Sequence, residues 1–596
     1  MEASESASRQ RISQHLSYPN PSLGDTAGFA AANLAPRDAD TSPAVPWQNS
    51  TARRVILVVS LLLGLLLSTL DTSVVATSLI TISEEFHDHG NAPWVLLAYM
   101  LTYMGFSVVV SKMSDIYGRR TILFTSWGTF LIFSAGCTGA KSMSALIIFR
   151  ALKGIGGAGL YSLTQICLLE HGPTHNPSLM GALIGITLAL AFLLGPILGG
   201  AITSRVSWRW IFAINLPLGC IAMASILLCF PREYRGHRIL SLASLRKIDF
   251  LGMISLLCAS VTLVFGIQRG GSRAYSWNHP GIIVTLVTSG LTWILFVCWE
   301  TYINKTYCAF PDHSRCTHIE PVFTSRLARR RPYMCGLVIA FLTGAPYVVL
   351  TVTIPERMQV IQRENPFTAG IHLLPMLSGT AAGSFLSGAI CRKYNYTSLL
   401  MTMAAFAQLL GVALMLRISA VDSNFVPAYG FTLIVGIGAG LSFGASTIIG
   451  AVETESTIDI AVAQGAIAQA RVLGSCLGVA ISTVLFNNRL DSLTDRLTPQ
   501  QLAILQQTPT VSAGWPHNLM RSIQEVYAAA FRDQTIFMMC LCSVMVFVAM
   551  ASWEWNPRPI SNISHAQRAH KASQQQQRRC DSDGTELSDM ASVRSA

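Results

Sequence analysis

The chain has 596 residues, 51% of them hydrophobic and only 12% charged, against roughly a quarter charged in an ordinary soluble domain. Its net charge of +11 would suit a nucleic-acid surface, but the basic residues fall mainly in short loops between apolar runs, which is a pattern of membrane topology. A soluble globular enzyme and a DNA-binding protein are both excluded; the expected surroundings are a lipid bilayer, with no nucleic-acid partner.

Residues 1–52 are polar and rich in Ser, Ala and Pro, and read as a disordered cytosolic arm; the first apolar run begins behind it, so a cleaved leader is not expected. Apolar runs long enough to cross about 30 Å of hydrocarbon then recur near 55–82, 93–113, 121–140, 145–169, 178–203, 208–230, 249–269, 281–302, 333–355, 366–389, 397–417, 427–451, 460–486 and 535–553. This predicts an all-α integral membrane protein with fourteen transmembrane helices. Its parts are a six-helix half over 53–230, a linker with two extra transmembrane helices over 231–332, and a second six-helix half over 333–555 that includes a long outer loop at 487–534. A disordered cytosolic tail follows at 556–596.

Ionisable groups inside spans cost at least about 2.5 kcal/mol each on insertion scales and are functional candidates by default. The first is Asp71, roughly 24 Å along span one; Arg150 lies roughly 8 Å into span four, which runs the opposite way, so both sit at similar depth. The two form either a structural tie between helices or a proton switch, because burial and a neighbouring cation pull a carboxylate's protonation in opposite directions. Lys153, one turn from Arg150, either favours anionic ligands and holds Asp71 charged, or snorkels to the interface. Arg471 stands about 16 Å into span thirteen with no carboxylate evident at its depth, and either lines the cavity or bonds backbone carbonyls.

Between spans two and three, the run Ser111 to Arg120 puts Asp115, Gly118, Arg119 and Arg120 in a tight turn that can lock helix ends through charge and dipole contacts. In span five, Gly181, Gly185, Gly195, Gly199 and Gly200 allow close backbone approach, and Pro196 frees a carbonyl and invites a hinge. The stretch Gly195 to Ile202 resembles Gly474 to Ile481 of span thirteen, and the loop after span two resembles Gly388 to Tyr394 after span ten. Both matches pair helix n with helix n+8, as two six-helix halves separated by two extra helices require.

The loop basic residues place both termini in the cytosol. The sequons at Asn49, Asn304, Asn395 and Asn562 then fall on the cytosolic side and are expected to be unmodified. Fourteen scattered cysteines, most of them inside apolar runs, form no disulfide framework. Cys308, His313, Cys316 and His318 match no usual zinc spacing, so no metal is expected. No Gly-x-x-x-x-Gly-Lys-Ser/Thr phosphate loop occurs, so ATP is not the expected energy source, and the short loops leave no room for a catalytic domain.

Five runs in order resemble the fungal fourteen-spanner drug:proton antiporters of the major facilitator superfamily. They are Leu70 to Ala76, Ser111 to Arg120, Arg150 to Gly157, Gly185 through Gly195 and Pro196 to Gly200, and Trp208 to Gly219. The resemblance covers about residues 53–555 and implies the major facilitator fold with proton-driven export through alternating access. It also implies Asp71 and Arg150 as the coupling pair, and Asp115, Gly118, Arg119 and Arg120 as an inner gate. Ser111 stands where that family usually has Gly, Lys153 where it usually has Gln, and 304–318 departs from the usual linker. The expected function is therefore proton-coupled export of amphipathic drugs, toxins or secondary metabolites by a monomer in the plasma membrane, with no cofactor and the proton gradient as energy source. The alternatives are a vacuolar basic amino acid or siderophore transporter of the same fold, and a non-transporting nutrient sensor.

Overall fold

The computed structural model describes residues 51–88, 91–171, 177–230, 249–271, 277–309, 321–323, 325–392, 394–418, 420–421, 425–454, 457–490, 517–555 and 557–559. Among them, fourteen helices are long and apolar enough to cross a membrane. Two of these spans, Trp210–Cys229 and Phe367–Ile390, join a short α-helix to a longer one. The main helices of the first half and linker are α1 (Thr51–Phe86), α2 (Ala92–Tyr117), α3 (Arg119–Thr138), α4 (Met143–His171), α5 (Pro177–Arg205), α6 (Asn215–Cys229), α7 (Phe250–Gly270) and α8 (Pro280–Ala309). The second half holds α9 (Arg331–Ile361), α10 (Leu374–Ile390), α11 (Thr397–Met415), α12 (Val426–Val452), α13 (Thr457–Leu490) and α14 (His517–Ala551). Short helices precede α6 (Trp210–Ala213) and α10 (Pro366–Ile371).

Two halves with one packing plan make up the bundle. In the first, α1 packs on α4, α5 and α6, α2 on α4, and α3 on α4 and α6. Adding eight to each number reproduces the second half: α9 packs on α12, α13 and α14, α10 on α12, and α11 on α12 and α14. The seams between halves obey the same relation, α5 lying on α10 and α2 on α13.

Lipid offers no hydrophobic drive between helices, so small residues and dispersion contacts decide these pairings. The Gly195 and Gly474 runs show how. A side chain on Gly195 would stand 2.5 Å from Ser73 Cβ and one on Gly199 2.7 Å from the Val74 carbonyl, both on α1. On the other half, side chains on Gly474 and Gly478 would meet the Phe341 carbonyl carbon at 2.8 Å and Ala345 Cβ at 2.6 Å, both on α9. The seams match too: Gly185 faces Ser384 across α5 and α10, and Gly465 faces Val108 across α13 and α2.

The linker pair α7 and α8 leans on one seam only. α7 packs on α2 and α13, with Leu257 filling the notch left by Gly105, and Asn487 of α13 donates to the Gly271 carbonyl at 2.9 Å. Asp249 caps α7 through Gly252 N–H at 2.8 Å and accepts from Trp299 Nε1 of α8 at 2.7 Å, binding the pair together. Most large side chains of α8 stay exposed, among them Ile283, Val287, Leu291 and Ile294, as suits a lipid-facing helix.

Two boundaries differ from the sequence reading. α14 starts at His517 and not near 535, so 517–534 belongs to a helix and not to an outer loop; residues 491–516 lie outside the described ones. Met520, Ile523, Tyr527 and Phe531 recur at helical spacing and are buried, and Ile523 and Tyr527 pack with Val360, Ile361 and Leu490. The charges of Arg521, Glu525, Arg532 and Asp533 on the other face made this amphipathic stretch read as loop. Likewise α9 continues past 355 to take in Glu356 and Arg357, whose guanidinium donates to the carbonyls of Ile418 at 2.8 Å and Ala420 at 2.9 Å. Of 304–318, α8 takes the part up to Ala309; His313, Cys316 and His318 lie outside the described residues, as do the arm before 51 and the tail from 560.

Candidate functional site

Three of the predicted ionisable residues meet inside the first half. Arg150 and Lys153 lie on one face of α4, and both reach Asp71 on α1: Arg150 Nη1 donates to Oδ2 and Lys153 Nζ to Oδ1. Asn215, at the start of α6, places Nδ2 3.4 Å from Oδ1. Arg150 Nε donates to the Val95 carbonyl at 2.9 Å.

Aromatic rings close the site from the remaining sides. The Arg150 guanidinium lies 4.4 Å from the Tyr99 ring centroid, and Tyr99 in turn donates its hydroxyl to the Ser68 carbonyl at 2.9 Å. The Lys153 ammonium lies 4.6 Å from the ring of Phe130 and 5.1 Å from that of Phe212. Arg150 and Lys153 are both 0% exposed. Lys153 therefore binds Asp71 and does not snorkel to an interface.

One carboxylate thus faces two cations in a water-poor pocket. A second guanidinium nitrogen of Arg150 and the Asn215 side-chain oxygen are buried without a hydrogen bond, so the cluster is not fully satisfied. Neutralising Asp71 would leave both cations unpaired, a change on the order of 3–5 kcal/mol for a broken buried ion pair. Protonation here must therefore be accompanied by movement of α4 against α1 or by entry of water. Lys153→Gln removes the surplus charge and leaves Asp71 with Arg150; the variant is expected to fold with a melting temperature no lower than wild type in detergent, as differential scanning fluorimetry would show.

Arg471 stands apart from this cluster. It sits on α13 at the meeting of the halves, donating from Nη2 to Ser446 Oγ of α12 at 2.9 Å and from Nη1 to Tyr161 Oη of α4 at 3.3 Å. Its guanidinium covers the Phe443 ring at 4.4 Å. The four residues expected at one cavity therefore divide into a sealed trio and a separate cation at the seam.

In the turn between α2 and α3, Gly118 has φ of 91°, a left-handed value that glycine adopts at little cost. Arg119 donates to Ser114 Oγ, and Arg120 to the Leu227 carbonyl near the end of α6 at 2.6 Å, so the turn is tied both to its own helix and to α6. The side chain of Asp115 lies outside the described residues. Lys112, one turn before, donates to the Pro321 carbonyl of the segment after α8. In α5, Gly185, Gly195 and Gly199 are packing surfaces toward α10 and α1, and Gly200 is buried. The helix runs unbroken through Pro196, whose carbonyl faces Gly370.

Sequence reasoning missed Asn215, Tyr99, Tyr161, Phe443 and Ser446. Asn215 had a signal, a lone amide opening an apolar helix; the others look like ordinary membrane aromatics and hydroxyls until the halves are brought together.

Residues 61–479 match the family model of the Major Facilitator Superfamily. The chain is 33% identical over 512 residues to the MFS-type transporter FPY5 of Fusarium mangiferae, covering 84% of this chain and 83% of that protein. It is 31% identical over 386 residues to Multidrug resistance protein 3 of Bacillus subtilis, covering 65% of this chain and 70% of that one. Efflux pump aflT of Aspergillus parasiticus is 26% identical over 522 residues, 84% of this chain and 95% of its own. Among solved structures, a bacterial homolog of the human lysosomal transporter Spinster superposes with a TM-score of 0.53 at 13% identity, covering 85% of this chain and 100% of that one, which shows a shared fold.

Proposed function

We infer the function from one premise: the chain belongs to the Major Facilitator Superfamily, and is a multi-pass membrane transporter. On that premise we propose a proton-coupled antiporter that exports amphipathic small molecules such as drugs, toxins or secondary metabolites. The observation that carries the proposal is Asp71 held between Arg150 and Lys153 on a neighbouring helix, out of water. A carboxylate so placed changes charge only with movement of the helices or entry of water, and a link between charge and helix position is the property a proton-coupling element needs. Export is favoured over import by relatives named an efflux pump and a multidrug resistance protein.

The reading includes a monomer in the plasma membrane with both termini cytosolic, supported by the basic loops on one side of the sequence topology. A vacuolar carrier of basic amino acids remains the second reading, but the cluster's surplus positive charge disfavours cationic cargo nearby. The test is expression in yeast stripped of its own drug exporters, loaded with a panel of fluorescent amphipaths. Export that stops on adding a protonophore is expected; retention of every compound, with the protein present at the plasma membrane, contradicts the reading.

A further inference from the structure

Arg471 is a cation near the middle of a membrane helix with no acid beside it. Among the described residues no carboxylate forms an ion pair with Arg471; its hydrogen bonds go to two neutral hydroxyls, those of Ser446 and Tyr161. Its Nε is buried with no hydrogen-bond partner. The contrast with Arg150 is direct, since that arginine has Asp71. A guanidinium offers five donors in a fixed fork, and the unsatisfied Nε gives a carboxylate two parallel bonds once a neighbouring Nη exchanges its neutral hydroxyl partner for the anion.

The surroundings define the rest of a ligand. Tyr161 and Tyr103, with ring centroids 5.5 Å apart, come from the first half; Phe443 and Tyr347, 5.3 Å apart, come from the second. Arg471 keeps partial exposure while all four rings are buried, so a ligand's apolar body enters between them only as the halves part. An unpaired cation in this setting is costly, and an anion whose apolar body fits between aromatic rings would compensate it while the rings take up the desolvated area.

We propose that Arg471 is the anion-binding subsite of the transport path, and that the preferred cargo is an amphipathic aromatic acid whose carboxylate pairs with the Arg471 fork. This rests on the export reading above, and names the substrate class of its path. The Asp71 cluster plays no part in holding the acid, because both of its cations contact Asp71 and neither has any exposed surface.

The experiment is direct binding to the full-length protein in lipid nanodiscs, using anthracene-9-carboxylate, 2-naphthoate and 1-pyrenebutyrate, each beside its primary amide. At least one acid is expected to bind about tenfold or more tighter than its amide, the size of effect a charge-assisted bidentate pair gives. That preference disappears in Arg471→Gln and is partly kept in Arg471→Lys, which retains charge without the fork. No preference for any acid, no binding of any acid, or the same preference in Arg471→Gln overturns the proposal. Protonophore-sensitive efflux of a panel holding the three acids beside neutral and cationic dyes, measured in parallel, reads the export function separately: retention of every compound sinks that function while leaving the acid-to-amide ratio to judge the subsite.

Discussion

Asp71→Asn in sealed proteoliposomes is expected to abolish uphill transport driven by a pH gradient while downhill exchange of cargo persists. The substitution keeps the side chain's size and removes the cluster's only carboxylate. It also strands Arg150 and Lys153 without a counter-ion, a loss on the order of 3–5 kcal/mol for a buried pair, so poor yield of the single variant would say little about coupling.

The informative variant is therefore Asp71→Asn combined with Lys153→Gln. One carboxylate and two cations become one cation beside two neutral amides, so the pocket keeps its original net charge and loses the carboxylate and the lysine, the two groups that can exchange a proton. The double variant is expected to fold, to bind cargo as wild type does, and to transport down a cargo gradient with no response to the pH gradient. Wild-type coupling in this variant would reduce the cluster to a tie between α1, α4 and α6.

The second large effect is expected at the glycines where backbones touch. Gly474→Val sets two branches against the Phe341 carbonyl, and Gly436→Val does the same against the Met376 carbonyl, whose carbon lies 2.8 Å from the added Cβ. Backbone cannot yield as a side-chain tip does, so α9 must part from α13, or α10 from α12. Overpacking of this kind costs about 1–3 kcal/mol and more where two helices must separate. Both variants are expected to lose most of the folded peak in size-exclusion chromatography. Gly128→Ala and Gly430→Ala, whose added carbon meets nothing within 4 Å, are expected to be neutral or to gain up to about 1 kcal/mol from helix propensity. Equal tolerance at all four positions would contradict the packing described.

Much of the fold was legible because a bilayer imposes it: length and polarity delimit helices, and the internal repeat relates helix n to helix n+8. The resemblance between the Gly195 and Gly474 runs has a physical basis, since each run packs its glycines on the first helix of its own half. Depth along the helices brought Asp71 and Arg150 to the same level, and the structure has them in contact. The charged first turns of α14 were not legible as helix, because their apolar residues repeat at helical spacing beneath four charges. Nor was the division of the cations: depth alone cannot say which face of α13 Arg471 occupies, and only the packing of α4, α12 and α13 sets it beside Tyr161 and Ser446.

The most direct measurement is proton flux tied to cargo flux. Purified wild type in proteoliposomes loaded with a pH-sensitive dye, given a cargo gradient and no initial pH gradient, is predicted to move protons against the direction of cargo, and the double variant to move cargo with no pH change. Cargo movement by wild type without any proton counter-flow would contradict the account.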